Sequence, residues 1–255
     1  MADYKEALDW LYSTQMFGIK LGLEGITRLL KECGVLYPRA RVIHVAGTNG
    51  KGSTCAFAES VARAAGYSTG LFTSPHLVEF GERIRVNGQM IPETDAARLI
   101  CHVRDVIAEW EIKPTFFELV LAVAMLYFAE REVDIIILET GMGGRLDATN
   151  AVPKDVAVLT PIGMDHMQYL GSTLEEIAAE KAGIIKPGIP VVIGETTPET
   201  KPVFMETAQK QGAPIHFAEE EQLLTGASTD GQGKRIYRSS KRSKRLQERT
   251  HRSYG

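Results

Sequence analysis

Short apolar runs alternate with segments of helical periodicity from Arg41 onward, and this alternation leaves few folds open. Each run is short and bounded by Gly, Pro or polar residues, so the runs indicate buried parallel strands. Strands that alternate with helices predict an α/β fold with a doubly wound, mostly parallel sheet. The expected strands are 42–46, 67–72, 134–139, 156–160, 190–194 and 214–218, with a small hairpin around Asn87-Gly88.

Helical patterns fill the segments between these runs. The segment 115–131 is apolar on all sides, so we expect it to be a central, buried helix. Thr115-x-x-Glu118 and Ser172-x-x-Glu175 have the spacing of capping boxes, which predict helix starts. Ligands of such sheets bind beyond the carboxyl ends of the strands, so the residues that follow the strands are the candidates for chemistry. The expected helices are 53–65, 94–110, 115–131, 172 to about 182, and one that starts at Thr197-Pro198.

Composition narrows the class of protein. The chain is 44% apolar and 24% charged, which is typical of a globular protein. Its three cysteines form no CxxC pair, so we expect neither a disulfide framework nor a four-cysteine zinc site. This cysteine content is typical of a protein in a reducing compartment. The longest uncharged apolar run, 119–129, is shorter than the ~20 residues that cross a bilayer, and the N-terminus lacks the pattern of a signal peptide. The expectation is a cytoplasmic protein.

Charge is concentrated at the end of the chain. Nine of the 29 Lys and Arg residues lie between Lys234 and Gly255, beside a single acid, Glu248. Such a tail could bind nucleic acid, but it has little aromatic interleaving, and its composition favours a solvated, disordered segment. We therefore expect a folded domain over residues 1–226 and a basic, disordered tail over residues 227–255.

A Gly-rich turn follows the first strand, with the sequence GTNGKGST from Gly47 to Thr54. Glycines let backbone N–H groups wrap around an anion, and the helix N-terminus behind them adds partial positive charge. Lys51 can reach phosphate oxygens. The standard G-x-x-x-x-G-K-[ST] pattern is not met, because Val45 replaces its first glycine and Gly52 its magnesium-binding Ser or Thr. The turn predicts a phosphate site; the alternative is a Gly-rich turn with an exposed lysine.

Two candidate magnesium ligands follow other strands. Thr73-Ser74-Pro75 follows the second strand, and a hydroxyl there could supply the oxygen that Gly52 lacks, although these residues alone favour a Ser-Pro turn. Glu139 ends the apolar strand 134–139 and opens onto glycines. A carboxylate at that position suits Mg²⁺, which prefers one or two carboxylates with phosphate and water oxygens. The alternative is a solvated strand end.

Two further segments carry polar groups beyond strands. Asp165-His166 follows the strand 156–160, so His166 could bind a metal while Asp165 orients it. A purely structural role for this pair is an equal alternative. Lys181 lies near the end of a predicted helix, where a cation is an ordinary partner of the helix dipole. On the residues alone, Lys181 therefore has no assigned chemistry.

Taken together, these segments strongly resemble the folylpolyglutamate synthase/dihydrofolate synthase family of the Mur ligase superfamily. Their order and spacing both agree with the family, and the resemblance spans roughly residues 1–218. The segments that carry it are HVAGTNGKGST (44–54), LFTSPHL (71–77), FFE (116–118), LETGMGGRLDATN (138–150), LTPIGMDHMQYLG (159–171) and AAEKAGIIKPG (178–188).

The resemblance implies an ATP-dependent amide ligase whose domain 1–226 is like the Mur ligase central domain, with a P-loop-type phosphate site. In such enzymes the carboxylate of dihydropteroate or a folate attacks the γ-phosphate of ATP, and L-glutamate displaces phosphate from the acyl phosphate. The loop around 73–90 and the helix near Phe116 resemble the folate-facing region. The implied catalytic residues are Lys51, Glu139, His166 and Lys181. The implied Mg²⁺ ligands are Ser74, Glu139, His166 and Lys181, the last as a carbamate formed with CO₂. The implied triphosphate cradle is Gly47, Thr48, Asn49, Gly50, Lys51, Gly52 and Ser53.

The chain also departs from the family pattern. The family has a second, C-terminal domain, and no DGAHNP-like motif of that domain occurs in the sequence. After about Ala227 the chain resembles no part of the family, so we expect a truncated or frame-shifted, impaired product that is monomeric. Three alternatives stay open: a Mur-type ligase for another carboxylate, a non-catalytic nucleotide-binding fragment, and a binding protein whose basic tail engages nucleic acid.

Overall fold

The computed structural model describes residues 3–17, 22–221, 224–229 and 235–239, the last two segments and residues 16–17 by their backbone alone. The chain divides into two compact units, residues 1–216 and 217–255. No helix within the described segments is both long and apolar enough to cross a membrane.

The first unit contains an eight-stranded sheet, whose last strand in the chain lies at the end of the unit. The strands are β1 (Arg41–Ala46), β2 (Thr69–Phe72), β3 (Ile84–Val86), β4 (Gln89–Met90), β5 (Ile135–Glu139), β6 (Val156–Leu159), β7 (Val191–Ile193) and β8 (Ile215–Phe217). Their order is β4-β3-β2-β5-β1-β6-β7-β8. The five strands from β2 to β7 in this order are parallel neighbours, whereas β3 and β4 pair antiparallel at one edge. The prediction of a mostly parallel sheet with a hairpin at Asn87-Gly88 is confirmed.

Helices pack around this sheet. They are α1 (Tyr4–Ser13), α2 (Glu24–Glu32), α3 (Lys51–Ala64), α4 (Glu93–Val106), α5 (Phe116–Glu130), α6 (Met167–Leu170), α7 (Leu174–Ala182) and α8 (Thr200–Gln211). The second unit contains a short helix of its own, α9 (Ala218–Glu221). As predicted, α5 is the central helix, and every residue from Glu118 to Phe128 is buried. Its capping box is also confirmed, because the Thr115 hydroxyl accepts from Glu118 N–H and the Glu118 carboxylate accepts from Thr115 N–H.

Two helix starts differ from the prediction. The capping box of α7 joins Thr173 and Glu176 rather than Ser172 and Glu175, because Thr173 is still extended, with φ −126° and ψ 160°, and the helix begins one residue later. The helix predicted from Thr197 begins instead at Thr200. Thr197 N–H donates to the Thr200 hydroxyl at 3.0 Å, which closes a turn before the helix starts.

The order of the strands locates the edge of the sheet where ligands are expected. After β1 the chain passes to β2 on one side, and after β6 it passes to β7 on the other side. The carboxyl ends of β1 and β6 therefore form the switch point of the doubly wound sheet, which is where such folds bind ligands. The glycine turn that starts at Gly47 and the residue Thr160 lie at these two ends.

In the second unit, two strands, β9 (Leu224–Thr229) and β10 (Arg235–Ser239), pair antiparallel. Short strands therefore stand within the segment that the sequence predicted to be a disordered tail from residue 227. The rest of the predicted tail, 230–234 and 240–255, lies outside the described residues.

Candidate functional site

The turn after β1 has a conformation and a packing that require glycine. Gly47 has a φ of 149° and Gly50 a φ of 82°, both in the region that other residues rarely adopt. A Cβ atom at Gly47 would lie 1.8 Å from Thr160 Oγ1, so the turn is packed directly against the residue that follows β6. The glycines thus let the turn sit at the switch point of the sheet.

Two of the predicted cradle residues bond within the protein. The backbone N–H groups of Thr48 and Asn49 both donate to Pro161 O, at 3.1 and 3.3 Å. The Thr48 hydroxyl donates to Gly163 O at 3.1 Å. These bonds fasten the turn to the segment after β6, so the amides of Thr48 and Asn49 position the turn rather than face a ligand.

The start of α3 leaves donors open directly behind the turn. The first bond within the helix runs from Thr54 N–H to Gly50 O, so the amides of residues 51–53 have no acceptor inside the helix. Open N–H groups and the positive end of the helix dipole attract anions. The Lys51 ammonium donates to Thr48 O at 3.2 Å, which brings its charge back over the turn. This arrangement can hold phosphate oxygens.

A buried carboxylate lies beside this helix start. Glu139, at the end of β5, is 5% exposed, and its Oε2 accepts from Ser74 N–H at 3.1 Å. Burial raises the pKa of Glu139, while the Ser74 bond and the Lys51 charge oppose the shift. A Cβ atom at Gly52 would lie 3.7 Å from Glu139 Oε1, so the missing side chain at Gly52 leaves the carboxylate close to the helix. The structure thus brings Lys51, Gly52, Ser74 and Glu139 together.

Lys181 joins the same turn from the last turn of α7. Its side chain is buried, and its ammonium donates to Gly47 O at 2.8 Å. Burial, and then the charge of Lys51, lower the pKa of Lys181 to about 8, against the pull of Asp165 and Asp147. Lys181 is therefore buried against the glycine turn, unlike an exposed cation at a helix end.

His166 lies at the margin of this cluster. Its side chain is half exposed, and its Nε2 lies 3.6 Å from Asp165 Oδ2. Within the described part of the chain, no hydrogen bond or ion pair joins His166 to Ser74, Glu139 or Lys181. Its connection to the cluster runs through Asp165, whose charge acts on Lys181.

The donor set suits a magnesium ion that shares its ligands with phosphate. Among residues 3–17 and 22–221, no three His, Cys, Asp or Glu side chains cluster as a self-contained metal centre. Mg²⁺ is usually held by one or two carboxylates together with phosphate and water oxygens. Glu139 is a buried carboxylate, and its hydrogen-bond partner Ser74 carries a hydroxyl. These two residues fit that preference.

A largely apolar cavity of about 480 Å³ opens beside Ser74. Pro75, Phe116, Phe117 and Met142 contribute its apolar walls. A cavity of this size, with polar groups set among apolar walls, is typical of a site for a small molecule. The region that resembles the folate-facing part of the family therefore surrounds an actual cavity.

Asp147 shapes one wall of this cavity, and no motif in the sequence predicted a role for it. Its Oδ2 accepts from Gly141 N–H and Met142 N–H, both at 2.9 Å, and its Oδ1 accepts from Thr149 N–H and the Thr149 hydroxyl. Thr149 Oγ1 is in turn 2.7 Å from His44 Nε2. Burial raises the pKa of Asp147, and these hydrogen bonds oppose the shift. A polar residue inside an apolar strand, His44, was the available signal in the sequence.

A second carboxylate, Glu82, fixes the loop that leads from the cavity back to the sheet. It accepts the backbone N–H groups of Leu77, Val78 and Glu79, each at 2.8 Å. These bonds lower the pKa of Glu82 to about 2. The side chains of Leu77 and Val78 are 90% and 82% exposed, so the loop has an ordered backbone beneath solvent-exposed apolar groups.

Fold and site together define a doubly wound α/β domain with a glycine turn, an acidic strand end and an apolar cavity at one edge of the sheet. The family model of the Mur ligase middle domain matches residues 45–250. The match extends past Ala227, so the prediction that the resemblance ends near that residue is wrong.

Known proteins resemble the chain closely. The dihydrofolate synthase/folylpolyglutamate synthase of Bacillus subtilis is 46% identical over 217 residues, which cover 83% of this chain and 50% of the relative. An Escherichia coli FolC structure in complex with DHPP and ADP is 41% identical, with a TM-score of 0.77, over 83% of this chain and 51% of that one. An FPGS–AMPPCP–folate complex is 33% identical, with a TM-score of 0.83, over 92% and 58%.

The chain belongs to the Mur ligase family, and the relatives that it matches are folylpolyglutamate and dihydrofolate synthases. The resemblance drawn from the sequence is thereby confirmed. The chain spans about half the length of these curated relatives.

Proposed function

We propose that this chain supplies the nucleotide and carboxylate sites of an ATP-dependent ligase that adds L-glutamate to dihydropteroate or a folate. The observation that carries the proposal is the meeting of the open amides 51–53 and Lys51 with the buried Glu139, next to the cavity at Ser74. Similar structures hold ADP with DHPP, or AMPPCP with folate, which agrees with one site for a nucleotide beside one for a pterin compound.

In this proposal each group has a task in the first step. The amides 51–53 and Lys51 hold the β- and γ-phosphates, while the cavity directs the substrate carboxylate toward the γ-phosphorus. A carboxylate oxygen forms a bond to that phosphorus, the bond to the bridging oxygen breaks, and ADP leaves. Lys51 offsets the negative charge that collects on the transferred group. Glu139 and Ser74 would hold Mg²⁺, which neutralises phosphate charge when bound, with His166 as a further ligand.

The second step forms the amide. The amine of L-glutamate attacks the acyl carbon, a C–N bond forms, the bond to the phosphate oxygen breaks, and a proton passes to solvent as phosphate leaves. The apolar walls of the cavity keep water from the acyl phosphate, which would otherwise hydrolyse.

The proposal predicts that Lys51→Ala weakens binding of Mg²⁺ and a non-hydrolysable ATP analogue about ten- to hundredfold, because a charge-assisted contact to phosphate is lost. Calorimetric titration of the intact chain measures the effect. Lys210→Ala is the matched control, since that lysine is exposed and its ion pair among the described residues is with Glu206 on its own helix. Indistinguishable isotherms for the wild type and Lys51→Ala would refute the phosphate site.

Lys181 is assigned as a lysine that CO₂ converts to a carbamate. Its neutral amine attacks CO₂, an Nζ–C bond forms, and a proton goes to solvent. Two observations support this: burial lowers the pKa of the amine to about 8, and Nζ contacts Gly47 O at the phosphate turn. The change replaces a cation beside Lys51 by an anion, which suits a ligand of Mg²⁺.

With ¹³C-bicarbonate we expect one protein carbamate signal by NMR in the wild type, and none in Lys181→Met. Lys186→Met is the control and should keep the signal, although burial also lowers the pKa of Lys186. A wild type without the signal, or a Lys181→Met variant that retains it, would contradict the assignment.

A further inference from the structure

Arg83 is a buried arginine in the wall of the apolar cavity. It ends the short 3-10 segment Phe80–Arg83 and is 9% exposed. Its guanidinium carbon lies 5.4 Å from the centre of the Phe116 ring, and the Tyr12 ring stacks on Phe116 at 5.7 Å. The guanidinium therefore borders both the cavity and a flat aromatic surface.

Among the described residues, the Arg83 side chain has one hydrogen bond and no ion pair. Its Nε–H donates to His76 Nδ1 at 2.7 Å, which requires the unprotonated ring nitrogen. Within the described residues, the terminal Nη groups make no hydrogen bond and no carboxylate forms an ion pair with Arg83. Buried charged side chains are usually paired and hydrogen-bonded. An anionic ligand could supply the missing partner of the Arg83 guanidinium.

The two acids that line the same cavity are used elsewhere. Glu118 accepts from the backbone and the hydroxyl of Thr115 in the capping box of α5. Asp147 accepts backbone amides of the opposite wall, at Gly141 and Met142. Neither carboxylate forms an ion pair with Arg83 among the described residues.

The backbone of Arg83 connects it to the phosphate site. Thr73 N–H donates to Arg83 O at 3.1 Å. The next residue, Ser74, lines the cavity and donates its own N–H to Glu139. The backbone of Arg83 is thus hydrogen-bonded to the residue that precedes Ser74, one of the proposed magnesium ligands.

We propose that Arg83 binds the carboxylate of the acid substrate. The planar guanidinium can give a carboxylate two parallel hydrogen bonds, a geometry that a lysine cannot offer. This inference rests on the proposed function, because it identifies the group that holds the carboxylate to be phosphorylated.

The test compares pteroate with pteroamide, in which an uncharged amide replaces the carboxylate, by calorimetric titration of the intact chain. The wild type should bind the acid about ten- to hundredfold more tightly than the amide. Arg83→Gln should bind both equally, with the affinity for the amide unchanged. Arg85→Gln, which removes a charge two residues away, should keep the preference. Arg83→Lys should retain only part of it, because the charge stays and the second hydrogen bond is lost.

The outcomes separate the two proposals. An Arg83→Gln variant that keeps the full preference for the acid overturns the role of Arg83 and leaves the proposed function standing. A wild type that binds neither compound, with or without Mg²⁺ and an ATP analogue, overturns both. If Arg83→Gln does not fold, as judged by its circular dichroism, Arg83→Lys decides, and an unchanged preference in that variant overturns the inference.

Discussion

Alanine at Gly47 is expected to lower the free energy of unfolding by about 3–5 kcal/mol and to abolish nucleotide binding. The added Cβ would lie 1.8 Å from Thr160 Oγ1 and 3.0 Å from the Thr160 carbonyl oxygen, so β1 and β6 must move apart. The φ of 149° adds backbone strain to this clash. Because Gly47 O also accepts from Lys181, the movement would disturb the amine beside the phosphate turn.

Urea unfolding of the two proteins measures the loss, and titration with an ATP analogue measures the binding. Gly188→Ala is the matched control: its φ is 69°, and no described residue other than its two chain neighbours has an atom within 4 Å of the Cβ that it would gain. That variant carries backbone strain without a clash, so it should lose only about 1 kcal/mol. A loss at Gly47 no greater than at Gly188 would show that the packing against Thr160 is not as tight as described.

The second large effect is expected at Asp147, where alanine should cost about 3–5 kcal/mol. The substitution leaves the buried N–H groups of Gly141, Met142 and Thr149 without their acceptor. Each buried donor without a partner costs on the order of 1–3 kcal/mol, and rearrangement of the loop recovers part of the total. Since Gly141 and Met142 line the cavity, the variant should also bind pteroate more weakly.

Chemical denaturation and a pteroate titration test this prediction. Asp134→Ala is the control, because that carboxylate also accepts from a backbone amide and a hydroxyl, both of Ser68, but stands at the surface. Water can replace it there, so the loss of stability should be much smaller than at Asp147. Equal losses at the two positions would mean that burial does not set the cost.

Local patterns account for what the sequence predicted well. The strand β5 was recognisable because an apolar run of this length, ended by an acid and glycines, has few other conformations. The capping box of α5 was recognisable because both partners, Thr115 and Glu118, lie within four residues of each other. At α7 the same reasoning missed by one residue, since Ser172 and Thr173 are both suitable caps and only the backbone angles decide between them.

Contacts between distant segments account for what the sequence missed. Thr149 and His44 lie 105 residues apart, and their hydrogen bond exists only because the segment after β5 folds against β1. The burial of Lys181 against Gly47 is of the same kind, with 134 residues between them. Arg83 gave no signal in the sequence, because its lack of a counter-ion depends on where the other charged groups of the cavity point.

The three hydrogen bonds that Glu82 accepts have a practical consequence. They hold the backbone from Leu77 to Glu79 without using the side chains at positions 77 and 78, which project into water. Either position can therefore carry a cysteine with an environment-sensitive fluorophore at little cost in folding, a short distance along the chain from Pro75 in the cavity wall. Such a reporter would follow the arrival of a ligand in real time while every group of the site stays intact.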